Sequence, residues 1–139
     1  MKATVCICSY NGARRIEAVL EALGTQLAAP NDWEVLVVDN ASTDDTGAVA
    51  ARCIAERLGG RGWVEREPKL GLSHARARAA ASAQGEIVCF LDDDNIPGPT
   101  FVASAIRSFS VRPRAGAVGG KVLPSWDAHP TPLARAVAP

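Results

Sequence analysis

The sequence predicts an α/β domain built on a mostly parallel sheet flanked by helices. Three observations lead there. Apolar runs of β-forming residues alternate with segments whose apolar residues recur at helical spacing. The clearest run, Glu34-Val35-Leu36-Val37-Val38, is continuous rather than alternating, as in a parallel strand covered on both faces. Polar clusters follow the strands, where open α/β sheets bind their ligands. Strand–helix alternation with right-handed crossovers satisfies all three.

Residues 3–8 read as the first strand. Ile16, Val19, Leu20, Leu23 and Leu27 then mark the apolar stripe of a helix. Residues 34–38 are the second strand. The stretch Asn40-Ala41-Ser42-Thr43-Asp44-Asp45 is dense in helix-capping residues, and a second helix over 46–58 stops at Gly59-Gly60. Residues 62–67 form a weaker third strand and 68–71 a loop. An Ala-rich helix over 73–83, ended by Gly85, has side chains small enough to pack close on a sheet. Residues 87–91 are a buried fourth strand. Residues 100–109 form a helix with Phe101, Ala105 and Phe109 on one face, and 117–123 offer one more strand. The domain covers 1–124. Residues 125–139, with Pro130, Pro132 and Pro139 and little periodicity, read as a loosely ordered tail.

Bulk properties narrow the function. The chain has 139 residues, enough for one domain with a core of its own. Lys+Arg and Asp+Glu both number 15, so there is no electrostatic case for nucleic acid or for a charged membrane surface. Cys6, Cys8 and Cys89 fall on strands and Cys53 on a helix, without zinc spacing. They read as reduced core thiols, which suits a cytoplasmic location. The short apolar stretch after Met1-Lys2 has the wrong length and flanks for a signal peptide, and no apolar run is long enough to span a bilayer. Peripheral membrane association and self-association stay open.

The richest chemistry lies in Phe90-Leu91-Asp92-Asp93-Asp94-Asn95, an apolar strand that ends in three carboxylates. Adjacent carboxylates repel, so a positive partner is expected. A divalent cation bridging a diphosphate is one, because hard cations take oxygen ligands. An acidic turn capping the next helix, near Pro97-Gly98-Pro99, is the other reading. Other polar clusters sit at the same sheet edge: Ser9-Tyr10-Asn11 after the first strand and Asp39-Asn40 after the second. Acids gathered at one edge suggest a shared cleft.

Several chemistries lack their motifs. The first strand is followed by Ser9-Tyr10-Asn11-Gly12-Ala13, not by the Gly-x-Gly-x-x-Gly of a dinucleotide site. There is no Gly-x-x-x-x-Gly-Lys-Ser/Thr phosphate loop and no Gly-x-Ser-x-Gly nucleophile turn. His74 and His129 are far apart in sequence, without a nucleophile at a known spacing.

The order of segments resembles the N-terminal half of a family 2 glycosyltransferase with the GT-A fold, a Rossmann-like sheet. The residues that carry this are Val5-Cys6-Ile7-Cys8-Ser9-Tyr10-Asn11-Gly12 and Glu34 through Thr46, with Asp39 and Ser42-Thr43-Asp44 at their centre. They continue in Gly71-Leu72-Ser73-His74-Ala75-Arg76 and in Gly85 through Asp94. Four motifs in this order over roughly the first hundred residues are specific where each alone is weak.

The resemblance implies a set of roles. Ser9, Tyr10 and Asn11 lie against the nucleotide base, with Tyr10 as a half-buried packing residue in the alternative. Asp39 accepts a hydrogen bond from a uracil ring; its alternative is a turn cap beside Ser42. Asp92 and Asp93 lie near the ribose, and Asp94, with Asp92, holds Mn2+ or Mg2+ and through it the diphosphate. Arg76 lies near the nucleotide or phosphates, or else on a solvated helix face, and Arg78 is surface. The implied activity is metal-dependent, inverting transfer of a sugar from a nucleoside-diphosphate sugar, UDP first, to an acceptor hydroxyl.

The chain departs from the family pattern in two places. Ala77 stands where the family often has Asn, and the sequence ends where the family chain enters its acceptor half, around Gly119-Gly120-Lys121-Val122-Leu123-Pro124. The general base is therefore expected outside this chain, with Asp127 the one weak candidate in it. The sugar, the acceptor and the pathway are not legible. Two alternatives accompany this reading. One is a non-catalytic fragment of such an enzyme. The other is a haloacid dehalogenase-type phosphatase, whose nucleophile motif Asp92-x-Asp94-x-Ile96 loosely resembles.

Overall fold

A computed structural model describes residues 1–125 of the chain. The elements run β1 (Ala3–Ser9), α1 (Ile16–Gly24), a 3-10 turn (Pro30–Asp32), β2 (Trp33–Asn40), α2 (Thr46–Arg57), β3 (Gly62–Glu67), α3 (Leu72–Ser82), β4 (Ile87–Asp92) and α4 (Phe101–Val111). The four strands pair in parallel in the order β3-β2-β1-β4. The parallel α/β expectation holds, and each strand but β3 runs one or two residues further towards its carboxyl end than its apolar pattern suggested.

The period-2 alternation of the strands divides the core into two layers. Val5 and Ile7 of β1 and Val35 and Val37 of β2 face α1, α2 and α4, in a cluster with Ile16, Leu20, Ile54 and Val102. Cys6, Leu36 and Val38 face the other way, against Ala75 and Ala79 of α3. The strand order explains this division. From β1 the chain steps outward through β2 to β3, with α1 and α2 on one face. It then crosses back over α3, on the opposite face, to place β4 on the far side of β1. The order reverses between β1 and β4, and at such a switch point the loops part and leave a crevice.

Three expectations are corrected. Residues 117–123 form no strand, because a strand needs a ladder partner and this segment has none among the described residues. Helix α1 stops at Gly24 rather than continuing to Leu27, which is 73% exposed. Gly24 lies so close to α2 that an added Cβ would sit 3.0 Å from the Arg57 carbonyl, and past it the chain turns away, with the Leu27 amide donating to the Pro99 carbonyl at 2.9 Å. Strand β4 is buried on one face only: Ile87, Cys89 and Leu91 are inside, whereas Val88 and Phe90 are 37% and 45% exposed. No helix of the described residues is long and apolar enough to cross a membrane.

The four cysteines are unpaired thiols. Burial, with Cys8 and Cys89 adding to it, pushes the Cys6 thiol from its ordinary 9.0 to about 12, and burial pushes Cys89 to about 11. A thiol attacks as its thiolate. Cys6 and Cys89 are therefore expected to react with Ellman's reagent far more slowly in the native protein than in urea. The linkage has a definite sign. Above pH 9.0 the unfolded chain gives up the Cys6 proton while the folded chain keeps it up to about 12, so stability falls as pH rises through that window. Urea melts on either side of pH 9.0 should show the fall, and Cys6→Ala should make it shallower, the part due to Cys89 remaining.

Candidate functional site

The strand register brings the polar ends together. Ser9 pairs with Asp39 and Cys8 with Asp92, on either side of β1, and Asp39 pairs with Arg66 of β3. At a strand spacing of about 4.8 Å, Asp39 and Asp92 stand about 10 Å apart along one edge. That span suits a ligand longer than a single ring.

Two loops are knitted together beside β1. The Asn11 amide donates to Ser42 Oγ at 3.0 Å, and Asn11 Oδ1 accepts the Thr43 amide at 2.8 Å. The Gly12 amide donates to Thr46 Oγ1 at 2.9 Å, and Asp44 accepts the Thr46 amide and hydroxyl together with the Ala13 amide. Asp44, not the N-cap residue Asp45, thus satisfies the start of α2, and its bond from the Thr46 hydroxyl holds its carboxyl below the ordinary range. Asn11 and Ala41 both take the left-handed conformation, at φ 48° and 57°. Asn tolerates it, while Ala carries a strain of about 1–2 kcal/mol that the surrounding bonds must hold.

Each acid expected at the site occupies a distinct environment. Asp39 is buried; its Oδ1 accepts the Ser42 amide at 3.0 Å and its Oδ2 faces Arg66 Nη1 at 3.4 Å. The turn-cap bond is therefore present, and Oδ2 keeps capacity for another donor. Asp92 is 59% exposed and faces Arg76 Nη2 at 3.5 Å. Asp93 turns inward and is 13% exposed; Ser9 Oγ donates to its Oδ2, and Arg15 grips both its oxygens, Nε to Oδ1 at 3.2 Å and Nη2 to Oδ2 at 2.9 Å. Asp94 is exposed and makes no hydrogen bond among the described residues.

On the α3 side of this edge lies a cleft of about 340 Å³ lined by Cys8, Ser9, Tyr10, Asn40, Leu70, Gly71, Leu72 and Ala75. Tyr10 is exposed at its rim rather than packed inside. Of the expected nucleotide contacts, the structure brings Ser9 and Tyr10 to this cleft. Asp39 and Asn11 are not among the residues that line it, and Arg76, Asp92 and Asp94 stand at the β4 end. A hollow of about 370 Å³ at the amino edge, around Lys2, Glu34, Arg61 and Trp63, holds none of the expected residues.

Arg66 and Arg15 were not singled out from the sequence, and Asn40 only as one member of the polar cluster after the second strand. Asn40 is buried and fully used: its Nδ2 donates to the carbonyls of Glu67 and Lys69, and its Oδ1 accepts the Gly71 amide at 2.8 Å. It thereby sets the loop that forms one wall of the cleft. Arg78, read as surface, is exposed and also bridges Glu67 at 2.8 Å and Glu65 at 3.6 Å. One signal for Arg15 was available, because a cation at a helix start opposes the helix dipole and calls for an acid nearby. Among the described residues no three metal-ligating side chains converge. Any cation at this edge would be held by one or two carboxylates and completed by ligand oxygens, as Mg2+ commonly is.

Residues 4–137 match the family model described as Glycosyl transferase family 2. The chain belongs to that family. Glucosyl-dolichyl phosphate glucuronosyltransferase of Haloferax volcanii is 27% identical, over 93% of this chain and 41% of the relative. Validoxylamine A glucosyltransferase of Streptomyces hygroscopicus subsp. limoneus is 31% identical, over 86% of this chain and 25% of the relative. The chain therefore spans less than half the length of these relatives. Among solved structures, S. aureus TarS 1-349 in complex with UDP superposes with a TM-score of 0.73 at 26% identity, covering 90% of this chain and 38% of that one. Mannosyltransferase PcManGT from Pyrobaculum calidifontis, in complex with GDP-Man and Mn2+, superposes with a TM-score of 0.73 at 32% identity, covering 78% and 32%. The GT-A architecture expected for a family 2 N-terminal portion is thus the observed one.

Gly12 is where the site's packing is least forgiving. An added Cβ would lie 2.1 Å from Ser9 Oγ and 2.4 Å from Asp93 Oδ2, and those atoms are pinned to each other and to Arg15. Gly12→Ala is expected to break the Ser9–Asp93 bond and to lower stability by about 1–3 kcal/mol. Chemical denaturation measures the loss; an unchanged midpoint would show that the loop yields freely.

Proposed function

We propose that residues 1–124 form the donor-binding domain of a glycosyltransferase that takes its sugar, with inversion, from a nucleoside-diphosphate sugar, UDP first. The observation that carries this is the carboxyl edge of the sheet, where an apolar cleft at β1 leads to two outward carboxylates at β4. The cleft, with Tyr10 at its rim, suits a base. Asp39 Oδ2 offers an acceptor for a ring N–H. Asp92 and Arg76 would meet the ribose and phosphates.

The donor set fits a hard cation. Among the described residues Asp94 is exposed without a hydrogen-bond partner, and the Asp92 carboxylate is held by long contacts to Arg76 and to Asn95, the latter at 3.4 Å. Mn2+ or Mg2+ held there would neutralise charge on the diphosphate and on the departing nucleotide. The solved relatives bound to UDP and to GDP-Man with Mn2+ support this reading. The chain's own residues then bind and orient the donor. Asp39 and Asp93 are committed to structural bonds, and Asp92 and Asp94 face the donor, so none of them is assigned as the general base. Asp127 lies outside the described residues. We assign the base to the acceptor side of a longer protein, and the 139 residues alone are expected to bind donor without turning it over. Robust sugar transfer by this chain would overturn that assignment. The family match leaves the phosphatase alternative without support.

A thermal-shift titration with UDP, GDP and dTDP, each with and without Mn2+, tests the donor site. A ligand at a hundred times its dissociation constant adds about 2.7 kcal/mol of stability. UDP with Mn2+ is expected to give the largest rise. Asp94→Ala should remove the Mn2+-dependent part and leave the metal-free UDP response in place. A flat response to every nucleotide would favour the non-catalytic fragment.

A further inference from the structure

Arg15 belongs to a different element from the acidic turn, yet it holds the middle acid of that turn by a two-point grip. Ser9, from the end of β1, holds the same carboxylate. Asp93 thus projects inward between Asp92 and Asp94, which project outward. The turn is pinned at its centre to β1 and to the start of α1, and Gly12 leaves the space for that contact. Helix stability does not account for Arg15, since a cation is unfavourable at a helix start. A lysine would supply the charge but not the fork that matches both oxygens.

From this geometry we infer that Arg15 is a positioning residue which, through Asp93, fixes Asp92 and Asp94 in the arrangement that receives a divalent cation and its diphosphate. The inference rests on reading those two acids as the metal-facing pair. It also turns Asp93 away from the ribose contacts that the sequence suggested, because its carboxylate points inward and is held there by Arg15 and Ser9.

Charge and positioning predict opposite signs. If Arg15 were only a nearby positive charge, its loss would relieve repulsion and tighten cation binding. If it positions the turn, its loss lets three repelling carboxylates spread, and cation binding weakens. The test is calorimetric titration of the 139-residue chain with Mn2+ in the presence of UDP, together with titration of UDP without metal. Arg15→Met is expected to weaken Mn2+ binding by about tenfold, the lower end of what outer-shell partners of metal ligands contribute. Metal-free UDP binding should be unchanged. Arg15→Lys should fall between wild type and Arg15→Met. Asp93→Ala should weaken Mn2+ comparably, and adding Arg15→Met to it should cost nothing further. Unchanged or tighter Mn2+ binding in Arg15→Met, or fully additive losses in the double variant, overturns the inference. If Arg15→Met does not fold, Arg15→Lys decides: weaker binding supports the inference, and wild-type binding overturns it. Asp94→Ala separates the two levels. If wild type and Asp94→Ala respond alike to Mn2+, the donor-site reading itself fails and the Arg15 inference with it. If only wild type responds and Arg15→Met matches it, the Arg15 inference alone fails.

Discussion

The site depends on the register of β1 between β2 and β4. Val5 and Ile7 are sealed against one helical layer and Cys6 against the other. Because side chains alternate with a period of two, a one-residue slip would exchange the two layers and drive each set into the wrong environment. The core therefore fixes the register, and the register fixes the edge. Ser9 has to fall opposite Asp39, and Cys8 opposite Asp92. Nothing in the loops could align these residues by itself; the loops inherit their alignment from buried valines and isoleucines.

What was legible in the sequence follows from which interactions are local. Helices α1 and α4 show an apolar stripe, α2 lies between a capping-rich stretch and Gly59-Gly60, and β1 and β2 show continuous β-forming runs, so period, punctuation and composition revealed them. The polar ends were legible too, because strand ends in a parallel sheet share an edge. Pairings across the chain were not. Arg15 meets Asp93 and Arg66 meets Asp39 only once the strand order is known, and nothing in the spacing gives that order. Asn40 looked like one more capping residue because its three bonds reach a loop some thirty residues away. Residues 117–123 misled for the converse reason. Their composition suits a strand, but a strand exists only where another edge receives it.

A net charge of zero conceals a local asymmetry. Along the carboxyl edge, acid after acid is matched: Asp39 by Arg66, Asp93 by Arg15, Glu67 by Arg78. Asp92, more exposed than these, meets Arg76 at 3.5 Å, and Asp94 has no ion pair among the described residues. Exposed pairs of this kind add little stability. Among the described residues, their effect is to leave two exposed carboxylates side by side at the tip of β4, one paired only loosely with Arg76 and one without an ion pair. Counting charges along the sequence shows three acids in a row, whereas the structure shows one tied inward and two facing solvent. The difference matters because two outward carboxylates match the charge of a divalent cation.

The same topology leaves one face of β4 bare. A helix is about 10 Å across and strands lie about 4.8 Å apart, so one helix covers about two strands. Helix α3 lies over β1 and β2 through Ala75 and Ala79, and reaches β3 at its margin. It does not extend across the switch point to β4, which explains why Val88 and Phe90 are exposed although their run is as apolar as β2. Arg76 lies over the Phe90 ring at 5.8 Å, so the arginine beside Asp92 also supplies part of that face's cover. Position and charge are coupled in this one side chain. Its guanidinium lies over an aromatic ring that the body of α3 does not cover, and the same group stands beside Asp92, the last residue of β4.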